Sequence, residues 1–159
     1  MSCVCLDTGP IIEYIDLAGA FHPQAEAIIR RVLAGKLIAI VPHPVLAESY
    51  YVSSRIYEKL GLDNPEDRAG KLVDWLYHSP NFTIAEPSDL LAKKTGQLKK
   101  DFGLALTDAY VIAASRVQGG KAVFRTRETE MRKNMGRLSR EHELVFLEDY
   151  SGRTYRQPS

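Results

Sequence analysis

Apolar residues along this chain fall into two alternating rhythms. Short runs rich in Val, Ile, Phe and Cys occupy residues 3–6, 37–41, 82–85, 122–124 and 144–147, each the length of a buried strand. Between them the apolar positions recur with the helical period. Ala25, Ile28, Ile29, Val32 and Leu33 follow Pro23 at a first-turn position and stop before Gly35, which suits a C-terminal cap. Ala69, Leu72, Val73 and Leu76 follow Asn64-Pro65, with Glu66 and Asp67 where the helix dipole favours acids. Strands separated by helices of this length need right-handed crossovers, which give a mostly parallel sheet with helices on both faces. The pattern predicts a three-layer α/β fold.

The 159 residues suffice for one core and not for two. One domain is therefore expected over residues 1–150, with residues 151–159, which lack periodicity, as a frayed tail. A hydrophobic share of 45% and a charged share of 26% argue against disorder, and no apolar run is long enough to span a membrane. No secretory signal is visible ahead of the first apolar run, so a cytoplasmic location is expected. Cys3 and Cys5, the only cysteines, are too close on an extended segment to bridge without strain and read as buried small hydrophobes. The four scattered histidines offer no zinc spacing. With a net charge of +1, any nucleic acid would have to be held by local patches.

In an open parallel sheet, ligands gather outside the carboxyl ends of the strands. Asp7 stands directly after the first apolar run, although Thr8, Gly9 and Pro10 also fit a turn or helix N-cap there. Glu48 shares a helical stripe with Val45, Val52 and Ile56, which puts a carboxylate at a core-facing position. Asp108 lies in a stretch, residues 104–114, that is apolar almost all round. Burying an acid there demands a cation, an ion-pair partner or a dense set of hydrogen bonds. Glu128 and Glu130 both follow the fourth run and compete for a fourth place. Acids converging on one sheet edge would repel and raise each other's pKa unless a divalent cation neutralised them, and oxygen-only ligands suit Mg2+ or Mn2+. Hydrolysis of a phosphodiester is the chemistry such a pocket serves.

Leu6-Asp7-Thr8, Leu46-Ala47-Glu48, Leu106-Thr107-Asp108-Ala109 and Thr126-Arg127-Glu128, in this order and strand context, resemble the PIN-domain nucleases, and among them the VapC-like toxins of prokaryotic toxin–antitoxin pairs. The resemblance spans almost the whole chain. It implies a five-stranded parallel sheet, a magnesium- or manganese-dependent endoribonuclease, a homodimer and a cognate antitoxin. Carried over, Asp7, Glu48, Asp108 and Glu128 are the catalytic and metal-binding acids, though the family usually has aspartate at the fourth place. Thr8 and Thr126 would be hydroxyls that orient the carboxylates. Arg125 and Arg127 could hold the RNA backbone, while Lys93, Lys94, Lys99 and Lys100 read as a solvated helix face. Tyr50, Tyr51, Tyr57, Trp75 and Tyr77 form a surplus of aromatic surface that an antitoxin helix or a second subunit could cover. An aspartyl phosphatase would also place Asp7 after the first strand, but would carry a second aspartate where this chain has Gly9. A non-catalytic PIN-like RNA-binding or assembly module is the other alternative.

Overall fold

A computed structural model describes residues 2–150; the expected tail, 151–159, lies outside the described residues. The five apolar runs form strands β1 (Cys3–Leu6), β2 (Ile38–Pro42), β3 (Phe82–Ala85), β4 (Lys121–Phe124) and β5 (Leu144–Phe146). They pair in parallel throughout, in the order β3-β2-β1-β4-β5. Four strand boundaries, in β2, β4 and β5, move by one residue from the expected ones, because ladder hydrogen bonds and not hydropathy decide where a strand stops.

Helical connections run between successive strands: α1 (Thr8–Ile15) and α2 (His22–Leu33), α3 (His43–Lys59) and α4 (Pro65–His78), α5 (Asp89–Phe102) and α6 (Leu106–Gln118), then the short α7 (Thr129–Lys133) and α8 (Met135–Glu141). The α6 helix packs against β1, β2 and β4, and its face buries Val111, Ile112, Ala113 and Ala114. The central strands are sealed on both sides: Cys5, Leu6, Ala39, Val41 and Ala122 are essentially inaccessible. Such strands read as continuous apolar runs, which is why the sequence pattern locates them. Both cysteines remain thiols.

Strand order dictates where a site can lie. The chain steps from β1 outward through β2 to β3, then returns across to β4 on the other side of β1. Connections therefore leave β1 and β4 in opposite directions, and a crevice opens between their carboxyl ends.

Candidate active site

Asp7 occupies that crevice because it is the single residue between β1 and α1. Its N–H donates to the Val123 carbonyl at 3.0 Å, extending the β1–β4 ladder by one rung and fixing the backbone. It stands at the N-cap position of α1 but makes no capping hydrogen bond, and its Oδ1 is buried without a partner. A cap therefore does not account for this aspartate. Thr8 is buried too, and its Oγ1 likewise has no hydrogen-bond partner. What Thr8 gives Asp7 in this structure is its backbone N–H, which with that of Gly9 favours the carboxylate.

Asp108 is the third residue of α6 and only 7% exposed. Glu48 projects from α3 and Glu128 from the loop immediately before α7. A cleft of about 270 Å³ is lined by Asp7, Thr8, Gly9 and Ile12 from one side, by Glu48 and Val52 of α3, and by Arg125, Thr126 and Glu128 after β4. Asp108 does not line this opening but is coupled to it by charge. The Asp7 carboxyl is pushed up to about 7, first by burial and then by Asp108 and Glu48. Asp108 is likewise pushed up to about 7, by burial and then by Glu128, Glu48 and Glu130. Every charged group that acts on either aspartate is another carboxylate. Each therefore keeps its proton close to neutrality unless a cation offsets the crowding.

Several expectations need adjustment. Glu48 is half-buried and not core-facing: the buried positions of α3 are Val45, Leu46, Ser49 and Ser53, so the glutamate flanks the packed stripe and opens onto the cleft. Of the two competing glutamates, Glu128 lines the cleft, whereas Glu130 sits in the first turn of α7 and reaches Asp108 by charge alone. Helix α7 begins at Thr129, because the preceding loop is held out of the helix from elsewhere. Glu148 donates its N–H to the Arg125 carbonyl at 3.1 Å, and its carboxylate accepts the Arg127 N–H at 3.0 Å.

The two arginines expected to hold nucleic acid part company. Arg127 is absent from the cleft wall; its guanidinium forms a two-pronged pair with Asp149 at 2.7 Å, contacts Glu148 at 2.9 Å and lies 4.1 Å over the Phe146 ring. Those hydrogen bonds raise the arginine above its ordinary range and lower both carboxyls. Arg127 is thus a clamp that ties the loop to β5 and the 3-10 turn Leu147–Asp149. Arg125 does line the cleft, 3.3 Å from the buried Glu13. Sequence inspection missed Glu13, although an acid inside Ile11-Ile12-Glu13-Tyr14-Ile15 was a visible signal. The lysines of α5 are exposed as expected, with Lys93 near Asp89 and Lys99 donating to the Leu104 carbonyl.

Among the described residues, no group of three or more His, Cys, Asp and Glu side chains is already arranged to hold a metal ion. The acids are near enough to perturb one another without being drawn to one point. A second concavity lies away from the cleft, where Tyr14, Ile15, Leu33, Tyr57, Leu72 and Trp75 line a broad groove. Trp75 stacks on Tyr14 there, at 5.8 Å between ring centroids.

The architecture is shared with solved toxin–antitoxin structures. VapBC2 of Rickettsia felis, solved with a DNA fragment from its promoter, matches at 15% identity and a TM-score of 0.60, covering 91% of this chain and 98% of that one. A toxin–antitoxin complex from Klebsiella pneumoniae matches at 16% identity and 0.53, covering 80% and 89%. The sarcin-ricin loop cleaving toxin VapC20 of Mycobacterium tuberculosis matches at 18% identity and 0.56, covering 75% and 86%. No curated protein has a sequence that matches. The PIN domain family model matches residues 4–135, a span that takes in the whole acidic cleft, and the chain therefore belongs to the PIN domain family.

Proposed function

We propose that this chain is a magnesium- or manganese-dependent endoribonuclease and the toxin member of a toxin–antitoxin pair. One observation carries the proposal: Asp7, Glu48 and Glu128, from three separate parts of the chain, line one cleft at the switch point of the sheet, Asp108 is coupled to them by charge, and burial and other carboxylates raise Asp7 and Asp108 to about 7. Such crowding costs stability and has no structural purpose that the surrounding hydrogen bonds reveal. The unpartnered Asp7 Oδ1 and Thr8 Oγ1 add two hard oxygen donors of the kind such a cation takes. Asp7, Asp108, Glu48 and Glu128 would hold the ion, with Thr126 beside Glu128. When bound, the ion supplies the positive charge that offsets both these acids and a phosphodiester. The protein's own part is to fix Asp7 through the Val123 rung, to keep Asp108 dry on α6, and to present Glu48 from α3 and Glu128 from the loop before α7.

The toxin assignment draws on the family and on the fold shared with VapC proteins. It also draws on the groove around Trp75, whose aromatic lining, flanked by Arg68 and Lys71, suits an amphipathic antitoxin helix with acidic residues. Homodimerisation belongs to the same proposal. Incubation with single-stranded RNA, with and without Mg2+ or Mn2+, tests the catalytic claim: cleavage should need the cation and vanish in Asp7→Asn. Because no three acids are preassembled, a non-catalytic RNA-binding module is the second reading. RNA binding without cleavage under any divalent ion would favour it.

A further inference from the structure

Arg125 is held at three points by parts of the chain that are remote in sequence. A Cβ added at Gly9 would stand 2.6 Å from the Arg125 Cβ, so the loop after β4 presses directly on the turn that carries Asp7. The Arg125 carbonyl accepts from the Glu148 N–H. Its guanidinium then reaches Glu13 Oε1 at 3.3 Å.

Glu13 is itself immobilised. Its side chain is 5% exposed, and its Oε2 accepts the Phe21 N–H at 3.0 Å. A Cβ added at Gly19 would collide with that same oxygen, so the loop between α1 and α2 closes over the carboxylate. The Arg125 side chain, by contrast, stays half exposed and lines the acidic cleft. A guanidinium has five N–H donors, and Glu13 engages only one end of the fork. The ion pair of Arg125 is with Glu13, away from the four cleft acids.

We infer that Arg125 binds a phosphate of the RNA strand on the rim of the cleft and that Glu13 is the positioning residue that aims it. The inference rests on the ribonuclease proposal and adds how the substrate is held. An acidic pocket repels a polyanion, and one anchored arginine at its mouth supplies directed hydrogen bonds to a phosphate next to the one that reacts. Pairing with Glu13 removes most of the long-range attraction but keeps the geometry, which favours register over steering.

The test is steady-state cleavage of a single-stranded RNA in Mg2+, with binding measured across salt concentrations in the uncleaving Asp7→Asn background. Arg125→Gln should raise KM about tenfold with kcat within about twofold, and should lower the salt slope of binding by roughly one counterion. Arg125→Lys keeps the charge and loses the fork, so KM should rise about threefold while the salt slope stays. Glu13→Gln keeps an acceptor for Phe21 and loses the ion pair, so KM should rise with the melting temperature little changed. Should Arg125→Gln fail to fold, the lysine variant decides. Unchanged KM and slope in the arginine variants would show that Arg125 is merely the counterion of Glu13. A parent chain that neither binds nor cuts RNA overturns this inference and the ribonuclease proposal together, whereas cleavage indifferent to Arg125 overturns this inference alone.

Discussion

Two groups of acids hang on the short loop after β4, and their environments push them in opposite directions. On one side, Glu128 joins Asp7, Asp108 and Glu48, where burial and mutual repulsion lift both aspartates to about 7. On the other, Glu148 and Asp149 close around Arg127, and hydrogen bonds from that arginine hold both carboxyls below their ordinary range. The residue types are the same, and both groups adjoin the loop after β4. What differs is a counterion: the clamp acids are paired with Arg127, whereas Arg125, on the cleft wall, is paired with Glu13. The clamp therefore reads as structure and the cleft as a site that awaits a ligand.

Removing one cleft acid breaks this contrast most severely. Asp7→Asn should cut the proposed cleavage by at least about 100-fold, since even outer partners of a metal site cost 10–100-fold. It should also stabilise the cation-free protein, because a neutral side chain escapes the repulsion. A gain of about 2 kcal/mol, or roughly 4–8 °C in Tm, is expected by calorimetry at pH 8. Lower Tm together with lost activity would mean that Asp7 is a structural acid after all.

Next in size is the difference between the two glutamates. Glu128→Gln should weaken cleavage about tenfold or more, and Glu130→Gln, whose side chain acts on Asp108 only through charge, should change it less than about threefold. Equal losses would show that both acids hold the cation.

The pH dependence of stability separates the two groups by sign. An acid whose folded-state pKa lies above its unfolded one binds its proton more tightly when folded. The cleft acids thus favour the folded state fully below about pH 4 and lose that advantage as pH rises to about 7. The clamp acids do the reverse: their contribution is present above about pH 4 and fades as pH falls through their lowered values. Cation-free Tm should therefore fall between pH 5 and 8, and millimolar Mg2+ should restore it more at pH 8 than at pH 5. A flat neutral arm that Asp108→Asn leaves unaltered would contradict the cleft's electrostatics.

Smallest is the clamp itself. Arg127→Met should lower stability by about 1 kcal/mol, since its partners are partly exposed and screened. Its effect on RNA affinity should be smaller than that of Arg125→Gln, because Arg127 does not line the cleft.

The same comparison explains what could be read from the chain alone. The strands were legible because burial on both faces leaves no polar position to interrupt them, and Asp7 and Asp108 stood out because each interrupts or abuts such a stretch. The exact setting of Glu48 is not legible, because Ser49 and Ser53 fill buried positions of α3 and hydropathy does not mark small hydroxyl residues as core. The start of α7 is not legible in the sequence because Glu148, far along the chain, holds the preceding loop in place. Both ion-paired arrangements, Glu13 with Arg125 and Arg127 with Asp149, join residues brought together only by the tertiary fold. No local pattern announces such pairs.

The strand order also has a bearing on how the molecule comes to be made. The first strand to leave the ribosome is the central one, yet its second neighbour is supplied by Val4 facing Lys121 and Leu6 facing Val123, late in synthesis. Contacts of such long sequence separation form slowly, and only after the intervening helices have emerged. Asp7 gains its ladder rung from Val123, and Glu128 and Arg125 follow behind. A nascent chain that already displays Asp7, Glu48 and Asp108 therefore has no finished cleft until β4 pairs with β1.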